Sequence, residues 1–427
     1  MAEIRFVRTA MLPPQEPPVS QIGAVRWVRE NLFSGWLNGV LTVASAAFVV
    51  WLALHVGPWF MNAVWNAGSL AECREILAGT DGACLAVIRD RWPQLLFGFY
   101  PSELYWRPTL ALLLLFVALA PALFPAVPRQ LLWFSAIYPG LAYWLLWGGT
   151  LWFPVVALAG FAVGIAVFIA LRPVLPLVAP FAGLVAPVFW WLFAVVPVTG
   201  LLAAVLPVGI TPVRSDSFGG FTLSIIIGVT GIALSLPLGI LLALGRKSDL
   251  FLVKTICVGF IEFIRGVPLI TLLFTASLLL NYFLPPGTNF DIILRVVIMV
   301  TLFAAAYMAE VIRGGLAAIP RGQYEAADSL GLDYWKAMRL IVLPQALKIS
   351  IPGIVNTFIG LFKDTTLVVF IGLLDPIGLS TAIRANTNWN GIYWELFLFI
   401  GAMFFVFCFG MSRYSMHLER RLKTDHR

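Results

Sequence analysis

Glu310 is the best candidate for chemistry in this chain, because it is an acid inside the apolar run 291–315. A charge at the centre of a membrane helix costs about 2.5–3.5 kcal/mol on insertion scales, so it needs a use. Facing a central cavity, its carboxylate could bind a cationic ammonium group on a solute. Alternatively it pairs with Arg313, one turn along the same helix, and serves packing or a cytoplasmic gate. The residues leave both readings open. Lys363 and Asp364 are adjacent and point about 100° apart on a helix, so they meet different partners, one lining a path or gate and the other bridging to a neighbouring helix. Asn356, one turn beyond Pro352, could offer its amide to a carboxylate or to another helix. Glu262 and Arg265 have the spacing of a same-helix ion pair. Cys73 and Cys84 are close enough in sequence for a disulfide in an oxidising compartment, although spacing alone fixes no pairing. Cys257 and Cys408 fall in apolar runs and read as small core residues, and no metal site is expected.

The longest polar break of the last half reads EAADSLGLDYWKAMRLIVLP over residues 325–344. Pro320 can open a short helix, and Gly331 suits a left-handed residue that closes it. Asp333 can cap a second helix starting Tyr334-Trp335, with Lys336 where a capping box would have Glu or Gln. Pro344 should end the element, returning the chain to the membrane near Gln345. Ala326 and Ala327 keep one face small, while Tyr324, Tyr334 and Trp335 supply bulk for docking. An amphipathic segment lying on the bilayer is the plain alternative.

The elements that must carry these residues are membrane helices. The chain is 60% apolar and 11% charged, too greasy for a soluble core. Its runs are continuously apolar and lack the alternation of barrel strands, so an all-α integral membrane protein is expected. Ten spans can be drawn, at 37–60, 108–127, 131–151, 153–171, 184–209, 220–245, 253–284, 291–315, 346–373 and 392–413, or eight or nine if weak runs fuse. Residues 1–36 read as a retained cytoplasmic tail. Arg5, Arg8, Arg26 and Arg29 precede the first span, and alternation then puts Arg246, Lys247 and Arg420-Arg421 inside, with both termini cytoplasmic. The formal net charge of +7 is thereby explained by orientation and not by nucleic acid. Residues 61–107 form an outside loop. Composition divides the chain near 211, with an accessory region at 37–210 and a working part at 211–427 whose polar loop spans 318–345.

The positions Glu325, Ala326, Ala327, Gly331, Ile341, Leu343 and Pro344 match the coupling loop of bacterial ABC importer permeases. Phe263-Ile264-Arg265-Gly266-Val267-Pro268-Leu269, Ala306-Tyr307-Met308-Ala309-Glu310 and Lys363-Asp364-Thr365-Thr366-Leu367 resemble the polar amino acid branch, similar to histidine and glutamine permeases. The long N-terminal addition looks most like the larger permease subunit of general L-amino-acid importers. Val267 and Leu272 depart from that branch's usual Thr and Gln, which puts a substrate contact at Leu272 in question. The resemblance implies a type I permease core of about five helices after about five accessory ones, in a bacterial inner membrane. It also implies a separate ATPase dimer docked on the loop, a second and different permease chain, and a periplasmic binding protein delivering an L-amino acid. No phosphate-cradling glycine loop is visible, so ATP and Mg2+ belong to the partner and this chain is not an enzyme. An ion-gradient carrier using Glu310 and Asp364 as proton or cation sites is the competing class.

Overall fold

The computed structural model describes residues 23–176, 178–279 and 291–422. The chain packs as two compact units, one reaching Ala86 and the other starting at Val87. This packing boundary differs from the compositional one at 211, because the accessory helices after Val87 share a unit with the working part.

The first unit holds α1 (Gly23–Asn31), α2 (Trp36–Met61) and α3 (Leu70–Leu77). All of α2 is apolar enough to span a bilayer, and none of its side chains is buried. Ser69 caps α3 by accepting the Glu72 N–H, and the Glu72 carboxylate accepts from Gly68 N at 2.7 Å. A disulfide joins Cys73 to Cys84, with Cα atoms 5.9 Å apart. The stretch read as an outside loop therefore contains ordered helix, since α4 (Ala86–Phe97) follows within it.

The second unit continues through α5 (Trp106–Leu123), α6 (Leu132–Trp147), α7 (Trp152–Leu171), and α8 (Ala179–Phe189), which passes through a π turn into α9 (Val195–Val205). The runs 131–151 and 153–171 hold separate helices: the two-residue strand β1 (Gly149–Thr150) lies between α6 and α7 and pairs with β2 (Gly209–Ile210). Aromatic side chains clamp these helices in pairs. Tyr138 donates to Ala111 O at 2.8 Å across α5 and α6, and Trp190 and Trp191 of the π turn donate to Val156 O and Ala157 O of α7 at 2.8 Å. Such bonds satisfy the polar edge of a large ring where lipid offers no partner.

The working part comprises α10 (Gly220–Arg246), α11 (Phe251–Gly266), α12 (Leu269–Phe274), α13 (Ile292–Ala317), α14 (Arg321–Ser329), α15 (Tyr334–Ala337), α16 (Leu343–Asp364), α17 (Pro376–Arg384) and α18 (Trp394–Leu422). Helices α10 and α13 run side by side and approach closely: a Cβ at Gly239 would stand 2.7 Å from Met308 Cβ. Only glycine leaves room there. Buried Leu223, Ile227, Val296 and Val300 form one core cluster, and Ala243, Met308, Ile312, Val342 and Ala346 form a second nearer the elbow helices.

Among the described residues, eight helices are long and apolar enough to cross a membrane, or nine if α11 and α12 make one span. At 16 residues α6 is shorter than these, which accounts for the difference from ten. Two expectations are corrected. The run 253–284 is not one straight span: it bends by 104° between α11 and α12, because Pro268 has no N–H to donate and forces Val267 into an extended conformation, φ −111° and ψ 132°. Pro344 does not end the elbow. A π turn at Met338–Val342 re-registers the backbone before the proline, so helix runs on into α16.

Accessory and working helices are tied at one end of the unit. Trp147 donates to Ser215 Oγ at 2.8 Å, whose hydroxyl donates to Asp291, which in turn caps α13 through Ile293 N at 2.9 Å. Arg107 donates to Thr211 O at 2.7 Å, and Thr222 donates to Leu96 O at 2.9 Å.

Candidate functional site

The polar break folds into an elbow of two short helices, α14 and α15. Gly331 has φ +68°, a left-handed value that costs other L-residues strain, and its turn is closed by Leu332 N to Ala327 O at 3.2 Å. Asp333 then caps α15 by accepting from Lys336 N at 2.9 Å, and the Lys336 ammonium lies 2.9 Å from the same carboxylate. Both bonds hold the Asp333 carboxyl below its ordinary range, the side-chain contact most. Lys336 at the box position pairs with the capping carboxylate by charge and, being a donor only, does not take the Asp333 N–H as Glu or Gln would.

Burial divides the elbow into an inner and an outer side. Ala327 is buried, Ile341 and Leu343 are half-buried, and Glu325, Ala326, Gly331 and Pro344 are exposed. Leu330, Tyr334 and Trp335 stand out at 72%, 51% and 68% exposure, and the last two rings meet edge to face with centroids 5.3 Å apart. Three large apolar residues grouped on a polar elbow form a surface suited to a partner. Tyr324 does not join them. It turns inward, accepting from Lys247 at 2.8 Å, and Gln323 accepts from Gln345 at 3.0 Å, bracing α14 against α16.

Beside the elbow lies an ionic junction centred on Glu310. Its carboxylate takes Arg313 Nε at 2.8 Å, Arg246 Nη1 at 3.3 Å and Arg265 Nη1 at 3.6 Å, drawing the ends of α10 and α11 onto α13. Arg246 also holds Glu262 at 2.8 Å. The same-helix pair of Glu310 and Arg313 is present, within a larger network. Glu262 is salt-bridged to Arg246 instead of to Arg265, because α11 packs its acid toward the end of α10. A carboxylate engaged by three guanidiniums can bind a further ammonium only by giving some of them up.

The remaining sites lie apart. Leu361 and Val300 both border Gly231, which places the end of α16, with exposed Lys363 and half-buried Asp364, well along α13 from Glu310. Asn356 is exposed on α16. A groove of about 1830 Å³ between α5, α6 and α10 is lined by Leu112, Leu115, Ile226, Val229 and other apolar side chains. It offers a zwitterion too few polar partners to be its site.

Sequence reasoning treated Arg246 and Lys247 only as markers of orientation. Their structural work depends on neighbours far along the chain, which no local spacing reveals. Arg295 was passed over, although it is an ionisable residue inside an apolar span. It is 9% exposed and donates to Ser277 O at 3.0 Å. The rule that selected Glu310 would also have found it.

These features define a multi-pass membrane transport subunit. Residues 235–424 match the family described as "Binding-protein-dependent transport system inner membrane component". Over the whole of both chains, the protein is 61% identical to the glutamate/glutamine/aspartate/asparagine transport system permease protein BztC of Rhodobacter capsulatus. It is 39% identical to the inner membrane amino-acid ABC transporter permease protein YhdY of Escherichia coli, over 96% of each chain. A solved amino acid ABC transporter with histidines matches 46% of this chain and 90% of its own at 31% identity, with a TM-score of 0.42. The chain belongs to the amino-acid ABC importer permeases, the family the coupling-loop pattern resembled.

Proposed function

We propose that this permease works in an importer for acidic amino acids and their amides, with a separate ATPase dimer seated on the elbow. The exposed ridge of Leu330, Tyr334 and Trp335 beside a left-handed Gly331 carries the docking reading. The substrate class rests on the name of the 61% identical relative, which matches the chain from end to end. A periplasmic binding protein delivers the amino acid, and a second, different permease chain completes the path, opened and closed by alternating access. ATP and Mg2+ belong to the ATPase, and this chain supplies no catalytic group. The protein lies in the bacterial inner membrane with both termini cytoplasmic, an orientation supported by Arg26 and Arg29 before α2 and Arg420 and Arg421 at the end of α18.

The test is purification of the intact complex with identification of its subunits, followed by uptake of glutamate, glutamine, aspartate and asparagine into vesicles with and without ATP. ATP-dependent uptake requiring the binding protein is expected. Accumulation of solute by this chain in the absence of any ATPase would instead favour an ion-gradient carrier.

A further inference from the structure

Helix α14 is joined to α13 by the chain at Ala318–Pro320, and the elbow runs by continuous helix into α16. The corner between α10 and α11 has no covalent link of that kind to the elbow. Its tie is Lys247, whose ammonium donates to the Tyr324 hydroxyl at 2.8 Å and stands 4.6 Å from the centre of the same ring. The two distances place the ammonium beyond the ring edge on the oxygen side, so the hydroxyl bond is the contact that ties the two residues. The neighbouring Arg246 reaches Glu262 of α11 at 2.8 Å and Glu310 of α13 at 3.3 Å. Two consecutive residues therefore fasten the elbow on one side and two core helices on the other. Close to its far end, α11 carries Arg265, which lies 3.6 Å from Glu310 and stacks over Tyr307 at 5.7 Å, just before the 104° break.

We propose that Arg246-Lys247 is a transmission joint that passes displacement of the elbow to α11 and so to the break at Val267-Pro268, with Lys247 as a positioning residue for coupled transport. The inference rests on the reading of the elbow as the ATPase seat and adds a route to the broken helix that bypasses α16. Motion of α14 pulls on Tyr324, Tyr324 on Lys247, and Lys247 on the backbone of Arg246. Charge then makes the next step: Arg246 holds acids on two helices, and carboxylate geometry tolerates small rotations without losing the bond. Lys247 is solvent-exposed, so replacing it leaves the packed core intact.

The experiment uses the complete complex in lipid vesicles with binding protein and glutamate, and reads glutamate taken up per ATP hydrolysed. In Lys247→Met and Tyr324→Leu that ratio should fall about five-fold or more. The double variant should be no worse than either single one, Lys247→Arg should keep most of the ratio, and Tyr324→Phe, which lacks the hydroxyl, should fall as far as Tyr324→Leu. An unchanged ratio in Lys247→Met, or a parallel drop of uptake and hydrolysis, overturns the joint while leaving the importer reading intact. Uptake by the unaltered complex without ATP overturns both.

Discussion

The indole N–H of Trp389 donates to the Asp90 carboxylate at 2.9 Å, joining residues 299 positions apart. Trp389 is fully buried in the turn after α17, and Asp90 lies on α4, so accessory and working parts share a polar contact. Replacing Trp389 with Phe keeps most of the ring and removes the donor. The expected loss is about 1.5–3 kcal/mol of stability for a bond to a charged acceptor. Thermal melting of the detergent-solubilised protein measures it, and Asp90→Asn in the same background should add little.

Gly331 can be tested without disturbing packing, since a Cβ there would meet nothing within 4 Å. The penalty for Gly331→Val is purely one of backbone conformation, roughly 1–3 kcal/mol at φ +68°. Gly331→Asn should be milder, because Asn tolerates the left-handed region. The ratio of uptake to ATP hydrolysis in vesicles should rank Gly above Asn above Val, with membrane insertion equal in all three.

Glu310 is the acid common to three arginines. Glu310→Gln leaves those guanidiniums with Glu262 as their remaining acidic partner in the junction, and should cost about 1–3 kcal/mol given its partial exposure. Arg313→Gln removes only one arm and should cost less. Chemical or thermal melts of the two variants against the unaltered protein give the order.

How much of this was legible in the sequence depended on whether the cause was local. Continuous apolar runs marked the spans, Gly331 and Asp333 marked the corner of the elbow, and Cys73 and Cys84 marked a feasible bridge. Each of these follows from composition or from a few neighbouring residues. The break before α12 was not legible within the run 253–284 even though Pro268 stood in the motif, because hydropathy counts proline as one residue among many while backbone geometry does not. The pairing of Arg246 with Glu262 and of Lys247 with Tyr324 was invisible for a different reason: 16 and 77 positions separate the partners, and only packed helices bring them together.

Asp375 gives a pH dependence. Wholly buried where it caps α17, its carboxyl is pushed up to about 6 by loss of water, against the lowering effect of the Gly378 and Ile377 N–H groups. In an unfolded chain it would titrate near 3.8. The folded state thus binds the proton more tightly, and the stability this confers is complete below about pH 4 and is lost as pH rises through about 6. Between pH 7 and pH 5 the protein should gain about 1 kcal/mol from this residue. Asp375→Asn keeps a capping oxygen and should flatten that difference in melting curves taken at the two pH values.

The sharp turn at Val267-Pro268 also bears on how the newly made polypeptide reaches its final state. A straight greasy rod can slip sideways from the insertion machinery into lipid, but a rod folded by 104° presents carbonyls that have lost their helical donors. Those carbonyls need shelter before hydrocarbon surrounds them. Packing of Leu269 and Leu273 with Leu223, Ile227 and Val296 supplies that shelter, so the bent segment is stable in lipid only together with α10 and α13.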